Sequence, residues 1–537
     1  RGMNWYIENR TITASSGANL TLNEGIECEQ NPNADCSGWG YFINNALPAV
    51  DIEGEWCYDK PTSTIYLYSS NGVPPSTEIE GSVVLKDDER YWGGITLGTD
   101  LGAEISYVNI CNLDIRNWYC NGIAIPTNLE KTEICYVTIK NCFISDVDGS
   151  GVNLVTWVYN AMDGGNSGWR GGSHLQILDN TITRANRFGI NCYSVYSKIS
   201  GNRITRIGLL ENVGWSGLGC SVTDNGGMCT EDGSGIRIKV SDQPKEAGCY
   251  DTISNNFIDS VGYCGMDIFG QNNLISKNII RSALSSKQDG GGIRVFGDNA
   301  KSITIDSNTI IDAIGNWYGT APEFNKPFGF GLYIDENAAS VNCTGNTIFN
   351  SSAGAILYQN ASGNCVANIM YTNSKACSSA QKLNISETSN VTQNDNITGF
   401  DSTSEIFFND SWVEKTVNLE NKPYLNLQGE LVQGSIALSP FTSVILLQGI
   451  AVNSWKPLTC KTDADRISIV QCHGDVIFRG GKNCTGVDVY LLNGTRTAAT
   501  ILRNGIGDWK TRKMSKGVYI AKFKLKGHPE IRKFWVF

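Results

Sequence analysis

The sequence predicts an all-β protein, a right-handed parallel β-helix followed by a C-terminal β-sandwich. Three observations carry that expectation. The first is internal repetition. Tyr107-Val-Asn-Ile-Cys-Asn112-Leu-Asp-Ile115 overlays Tyr136-Val-Thr-Ile-Lys-Asn141-Cys-Phe-Ile144 at an offset of 29, and related phrases close to Ile-x-x-Asn-x-Ile recur around Asn180, Asn202, Asn256, Asn278, Asn308, Asn346 and Asn368. The second is a set of short strands opened by glycine, among them Gly235-Ile-Arg-Ile, Gly265-Met-Asp-Ile, Gly292-Ile-Arg-Val and Gly331-Leu-Tyr-Ile. The third is composition. Charged residues are 18% of the chain, 58 residues are glycine, and no segment shows the sustained 3.6-residue period of an amphipathic helix.

Taken in order, residues 1–100 read as a lead-in segment with hairpins, such as Ile65-Tyr-Leu-Tyr68 after Gly54-Glu-Trp-Cys-Tyr-Asp59. Residues 101–376 read as the coils. A solenoid of this length needs no single large core, because each repeat buries its apolar side against its neighbours. The recurring asparagine fits a corner, where Asn tolerates the left-handed backbone and can bond to its equivalent about 4.8 Å away in the next coil. Residues 377–450 leave the repeat and read as a β-rich cap. Residues 451–537 contain alternating strands such as Val487-Asp-Val-Tyr-Leu-Leu and Gly517-Val-Tyr-Ile-Ala-Lys-Phe-Lys-Leu, the pattern of a sandwich of about seven strands.

Charge is divided along the chain. From Ala451 onward there are 16 basic and 6 acidic residues, whereas the first 450 hold 27 basic and 47 acidic. An acidic body excludes nucleic acid as the expected partner, and the basic end could dock on an acidic glycan. The 18 cysteines with only three histidines do not suit zinc and point to disulfides in an oxidising compartment. Cys343 and Cys365 share the 22-residue spacing of Asn346 and Asn368 and are expected to bridge adjacent coils, with Cys28–Cys36 and Cys220–Cys229 as local loop staples; Cys192 falls at an inward position as a core thiol. Eleven Asn-x-Ser/Thr sites occur, including Asn342, Asn384, Asn390 and Asn396 as glycosylation candidates. No apolar run reaches 18 residues. No nucleotide, haem or redox motif is present; calcium is the one cofactor left open.

Counting from each opening glycine, positions +1 and +3 should point inward and +2 and +4 outward. The outward rows then bring Arg237, Asp267, Arg294 and Tyr333 into one line, with Lys239, Phe269, Phe296 and Asp335 in the next. Carboxylates, guanidinium forks and aromatic rings on one face are what a polysaccharide groove requires. Asp267 and Asp335 are the candidate catalytic carboxylates, with Cα atoms about 12 Å apart from strand spacing and rise, close enough for side chains to approach an inverting pair. In a lyase version Lys239 is the base, and Arg237 or Arg294 neutralises a uronate. The competing reading of the row is an Arg–Asp–Arg ladder tying coils together. His174, at the start of His174-Leu-Gln-Ile, reads as a satisfied strand-end residue.

The Gly54–Tyr68 phrase followed by asparagine coils resembles the secreted right-handed β-helix proteins of polysaccharide-degrading bacteria, which include pectate-lyase-like and polygalacturonase-like folds and several glycosidase families. The resemblance spans about residues 40–376 and implies an extracellular carbohydrate-active protein. Residues 470–537 are similar to the C-terminal sorting or adhesion sandwich of proteins exported by the type IX route. Gly331-Leu-Tyr-Ile-Asp-Glu-Asn337 looks like strands bearing the catalytic aspartate in some β-helix glycosidases, including a β-xylosidase family whose acid is a glutamate on the next coil. Gln359 stands at that place here. Arg237-Ile-Lys239 resembles the substrate-binding Arg-Ile-Lys of polygalacturonases, whose Asn-Thr-Asp motif this chain lacks. The expectation is therefore a polysaccharide hydrolase or lyase. The alternative is a non-catalytic surface or adhesin protein that self-associates head to tail into filaments.

Overall fold

The computed structural model describes most of residues 7–448 and the backbone of the strands between 468 and 536. Outside the described residues lie chiefly 1–6, 26–35, 75–78, 82–92, 99–102, 126–131, 159–167, 210–231, 239–246, 378–381 and 449–467, with the turns of the last strands. The chain forms two compact units, one comprising 1–402, 408–415 and 438–444, the other 403–407, 416–437 and 445–537.

The first unit is a parallel β-helix. Three ten-stranded parallel sheets form its walls, and each coil gives one strand to each. The first wall runs from Asn109–Cys111 to Asn390–Asn394, the second from Asp114–Trp118 to Ile397–Phe400, and the third from Gly93–Thr96 to Leu383–Ile385. The coils expected over 101–376 therefore extend to Gly93 and Phe400. The last turn was hidden because Asn390-Val-Thr-Gln-Asn394 is polar and no glycine opens its third-wall strand.

Isoleucine fills the interior. Ile139, Ile177, Ile199, Ile253, Ile275 and Ile305 pair in sequence along the first wall. Ile144, Ile182, Ile204, Ile258, Ile280, Ile310 and Ile348 do the same along the second. All are buried, each contributing about 1.5–3 kcal/mol. This column explains the opening glycines. A Cβ on Gly265 would lie 2.5 Å from Cγ2 of Ile280 and 2.5 Å from the carbonyl oxygen of Gly292. Gly122, Gly151, Gly189, Gly235, Gly292 and Gly331 each face the Cγ2 of one second-wall isoleucine in the same way. None of the seven needs positive φ, so the constraint is steric. Gly265→Ala is expected to cost about 1–3 kcal/mol, read as a lower denaturation midpoint.

The asparagines form one continuous ladder through Asn180, Asn202, Asn256, Asn278, Asn308, Asn346, Asn368 and Asn396. Each Oδ1 from Asn202 onward accepts both the backbone N–H and the Nδ2–H of the asparagine before it, at 2.9–3.1 Å. The left-handed residue is not the ladder asparagine but the one preceding it: Asp179, Gly201, Asn255, Lys277, Ser307, Gly345, Ala367 and Asp395. That residue turns the corner so that the next side chain points inward under the strand. Asn112 and Asn141 are corner residues of this kind and do not belong to the ladder; Cys142 holds the ladder position, and its N–H donates to Asn180 Oδ1 at 2.9 Å.

The expected Cys343–Cys365 bridge is corrected. The two residues are register partners, but both are thiols. Parallel in-register strands hold Cβ vectors side by side at the strand spacing of about 4.8 Å, wider than the Cβ separation of about 3.8 Å that a disulfide needs. Each sulfur has another neighbour instead, the Tyr358 hydroxyl for Cys343 at 3.2 Å and Asn368 Nδ2 for Cys365 at 3.4 Å. Burial pushes the Cys365 thiol up to about 11. Cys192 is a buried thiol bonded to Ser194 Oγ at 3.1 Å, and burial pushes it up to about 12. Cys36 is disulfide-bonded, while Cys28, Cys220 and Cys229 lie outside the described residues.

The outer face of the second wall is covered within the same unit. Asp410 pairs with Arg203 at 2.9 Å, Phe408 stacks on Phe257 at 6.4 Å, and Phe441 is buried with Phe257 and Ile279. The second unit is antiparallel. Between Ser468–Cys472 and Glu530–Val536 seven strands form sheets of three and four. Nearer the start of this unit, the Tyr424 hydroxyl donates to Glu405 at 3.1 Å.

Candidate functional site

The third wall brings the predicted row together. Arg237 pairs with Asp267, Asp267 with Arg294, Arg294 with Tyr333, and Phe296 with Asp335. Ile334 pairs with Tyr358, which puts Gln359 opposite Asp335. Lys239 lies outside the described residues.

Exposure differs from the expectation. Along the Arg237–Asp335 row both faces of this wall are buried. The inward Ile236, Ile238, Met266, Ile268, Ile293 and Val295 are fully covered, and the outward Arg237, Asp267, Arg294, Tyr333 and Asp335 are only 0–6% exposed. Sequence-distant segments lie beside this wall. Trp39 stacks on Phe324 at 5.7 Å, the Gly40 N–H donates to Gly319 at 2.8 Å, and Gln288 Nε2 donates to the Phe324 carbonyl at 3.2 Å.

Within the row Asp267 is held by Arg294. Nε donates to Oδ1 at 2.8 Å and a terminal nitrogen to Oδ2 at 3.1 Å, the two-pronged geometry that arginine offers a carboxylate. Arg237 Nε lies 4.0 Å from Oδ2 on the other side. The rings expected to stack on sugar stack on these cations instead. Phe269 lies 5.4 Å from Arg237 and 5.5 Å from Arg294, and Phe296 lies 5.2 Å from Arg294. Phe188 and Tyr263 complete the enclosure at 5.1 and 5.3 Å. Arg237, Asp267 and Arg294 thus form a closed buried ion cluster.

Asp335 has a different environment. Its Oδ1 is buried without a hydrogen-bond partner, and Tyr333 hydrogen-bonds to its carboxyl. Burial pushes the Asp335 carboxyl up to about 7; Arg294 pulls it down, whereas Asp289 and Glu336 push it further up. Burial also raises Asp289, a half-buried residue of an Asp-Gly turn, against the pull of Arg294. Tyr333 is raised, first by burial and then by Asp335 and Asp289. Two carboxyls, a phenol and a guanidinium therefore act on one another at this end of the row. The stability consequence has a definite sign. A carboxyl with raised folded pKa stabilises the fold below about pH 4 and loses that contribution as pH rises through about 7. Asp335→Asn should flatten that slope, a change of roughly 4 kcal/mol at most, visible in denaturation midpoints between pH 4 and 8.

The other Asp-Gly turns have structural partners. Asp232 pairs with Arg187 at 3.0 Å, and its carbonyl accepts from the buried Lys287 at 2.6 Å; Asp148 accepts from Asn186 at 2.8 Å. Among the described residues no group of three or more His, Cys, Asp or Glu is placed to hold a metal ion. Sequence reasoning missed Asp251, a fully buried acid raised well above the usual range by burial, whose Oδ1 accepts the Ser197 N–H at 2.7 Å. Its signal was present: Ser197, Asp251 and Asn273 stand five residues before Asn202, Asn256 and Asn278. His174 is exposed and stacks between Tyr136 and Tyr196, at 4.8 and 5.5 Å. Of the glycosylation candidates, Asn390 is exposed, and Asn342 and Asn384 are half-buried. At Asn396, Nδ2, the atom a glycan would need, donates to the Cys365 carbonyl at 2.8 Å within the ladder.

No protein-family profile matches this chain, and comparison with curated proteins gives no match. Among solved structures, it is similar to the catalytic unit of a thermostable GH87 alpha-1,3-glucanase from Streptomyces thermodiastaticus, at 12% identity and a TM-score of 0.30 over 56% of this chain. The match spans 62% of the glucanase unit's length. The Dettilon tailspike protein follows at 11% identity and a TM-score of 0.23, covering 78% of this chain and 83% of that one. A tailspike protein mutant of E. coli bacteriophage HK620 in complex with pentasaccharide gives 9% identity and a TM-score of 0.15, over 83% of this chain and 85% of that one. No helix among the described residues is long and apolar enough to cross a membrane.

Proposed function

We propose that this chain is an extracellular carbohydrate-active β-helix that hydrolyses a polysaccharide, with Asp335 as proton donor and Asp289 as the partner carboxylate. The observation that supports this reading is the environment of Asp335, a carboxyl held near neutrality with one oxygen free of protein partners. In the hydrolysis, Asp335 protonates the glycosidic oxygen as the bond to the anomeric carbon breaks. Asp289, as the base, takes a proton from the water that attacks that carbon. Asp267 does not serve as the second carboxylate, because Arg294 holds both its oxygens. The lyase version is weakened for the same reason, since the guanidiniums that would neutralise a uronate already bind Asp267.

Asp335→Asn is expected to lower turnover on a polysaccharide panel by about 10²–10⁴-fold. Wild-type activity should fall above pH 7 as the donor loses its proton. Turnover unchanged in Asp335→Asn and in Asp289→Asn would sink the site. One observation favours the second reading, a non-catalytic surface protein, namely the near-complete burial of the third-wall row. On that reading no panel member is cleaved and the cluster serves stability alone.

A further inference from the structure

Among the described residues, the first wall keeps the most open outer face. Lys198 and Gln176 are exposed on it, while the second wall is packed against Phe408 and Phe441 around Phe257 and Ile279, and the third wall is buried along its Arg237–Asp335 row. An open groove of about 670 Å³ lies here, with Asn141, Asp179, Lys198, Ser200, Gly201 and Trp412 among its lining. Trp412 comes from a distant part of the same unit and is fixed deliberately. Its Nε1 donates to Asp179 Oδ1 at 3.0 Å, its ring meets Phe441 edge-on at 5.0 Å, and the neighbouring Asp410 pairs with Arg203 at 2.9 Å. Gly201 makes room for it, since a Cβ there would lie 2.9 Å from Trp412 Cζ2 and would strike Asp179. Even so anchored, Trp412 remains 54% exposed.

We infer that this groove binds a neutral pyranose oligosaccharide, at a site separate from Asp335. A rigidly held, open indole face stacks on the C–H face of a sugar ring, and the polar groups beside it match ring hydroxyls. Asp179 accepts, and Lys198 and Asn141 donate. Asp179 carries Lys140 at 3.9 Å as a counter-ion, so the groove presents mixed charge. The net charge of −20 on the first 450 residues disfavours a polyanion.

The test is calorimetric titration of the full chain with cellohexaose, laminarihexaose, maltohexaose, xylohexaose and hexagalacturonate. At least one neutral hexasaccharide should bind. Trp412→Ala should weaken that binding about tenfold or more, Lys198→Ala should weaken it less, and Trp412→Phe should retain most of it. Lys198 sits on an exposed strand position, so its variant keeps the readout should Trp412→Ala fail to fold. Binding that Asp335→Asn abolishes while Trp412→Ala leaves it intact belongs to the proposed hydrolytic site and overturns the inference. The inference is overturned if no neutral hexasaccharide binds, if only hexagalacturonate binds, or if binding survives both Trp412→Ala and Lys198→Ala.

Discussion

Asp267→Ala is expected to destabilise the β-helix by about 3–5 kcal/mol. The carboxylate is fully buried, and its removal leaves Arg237 and Arg294, 1% and 4% exposed, facing each other across an empty coil position without their common anion. Two like charges in low dielectric repel, and desolvation already paid by the cluster is no longer offset. Asp267→Asn should cost almost as much, since shape is kept but charge is not. Replacing all three residues by apolar ones of similar volume should recover most of the loss, because a buried ion cluster is worth little against good apolar packing. Equilibrium denaturation of the three variants measures this. A small effect for Asp267→Ala together with a large one for the triple variant would mean that the arginines, not the carboxylate, hold the wall.

The second large effect concerns the ladder. Asn308 accepts the backbone N–H and the Nδ2–H of Asn278 at 2.9 Å each, and donates to the Ile275 carbonyl at 2.9 Å and to Asn346 Oδ1 at 3.0 Å. Asn308→Ala leaves the Asn278 N–H and the Ile275 carbonyl buried and unmet, at about 1–3 kcal/mol each. A loss of about 3–5 kcal/mol is expected in the denaturation midpoint. Asn308→Asp should be comparably damaging, because a carboxylate would face Asn346 Oδ1 and the Ile275 carbonyl, both acceptors. The same change at Asn396, where the ladder ends half-buried, should cost clearly less. Equal costs at both positions would show that the ladder is not cooperative along its length.

The sequence disclosed most of what local periodicity controls. The coils, the inward isoleucines, and the alignment of Arg237 with Asp267 and Arg294 all follow from in-register stacking, which a repeat displays directly. It misled where register does not determine direction. Cys343 and Cys365 are adjacent but point in parallel, and the corner residue is offset by one from the ladder asparagine. It was silent on burial of the third wall. Alternation tells which side chains leave the core, but not whether distant parts of the chain then cover them. For the same reason the groove at Trp412 could not be anticipated: nothing local to Asp179 and Gly201 announces that residue 412 returns to them.

The ladder also divides the chain's freedom in two. Successive rungs are separated by 22, 54, 22, 30, 38, 22 and 28 residues between Asn180 and Asn396, yet each advances the stack by one strand spacing of about 4.8 Å. Length added to a coil therefore leaves the advance per turn unchanged. The axis behaves as a ruler graduated in asparagines. Insertions can diversify what the flanks carry without disturbing the distance between any two rungs, and a minimal 22-residue turn is the natural unit by which such a rod could be lengthened or shortened.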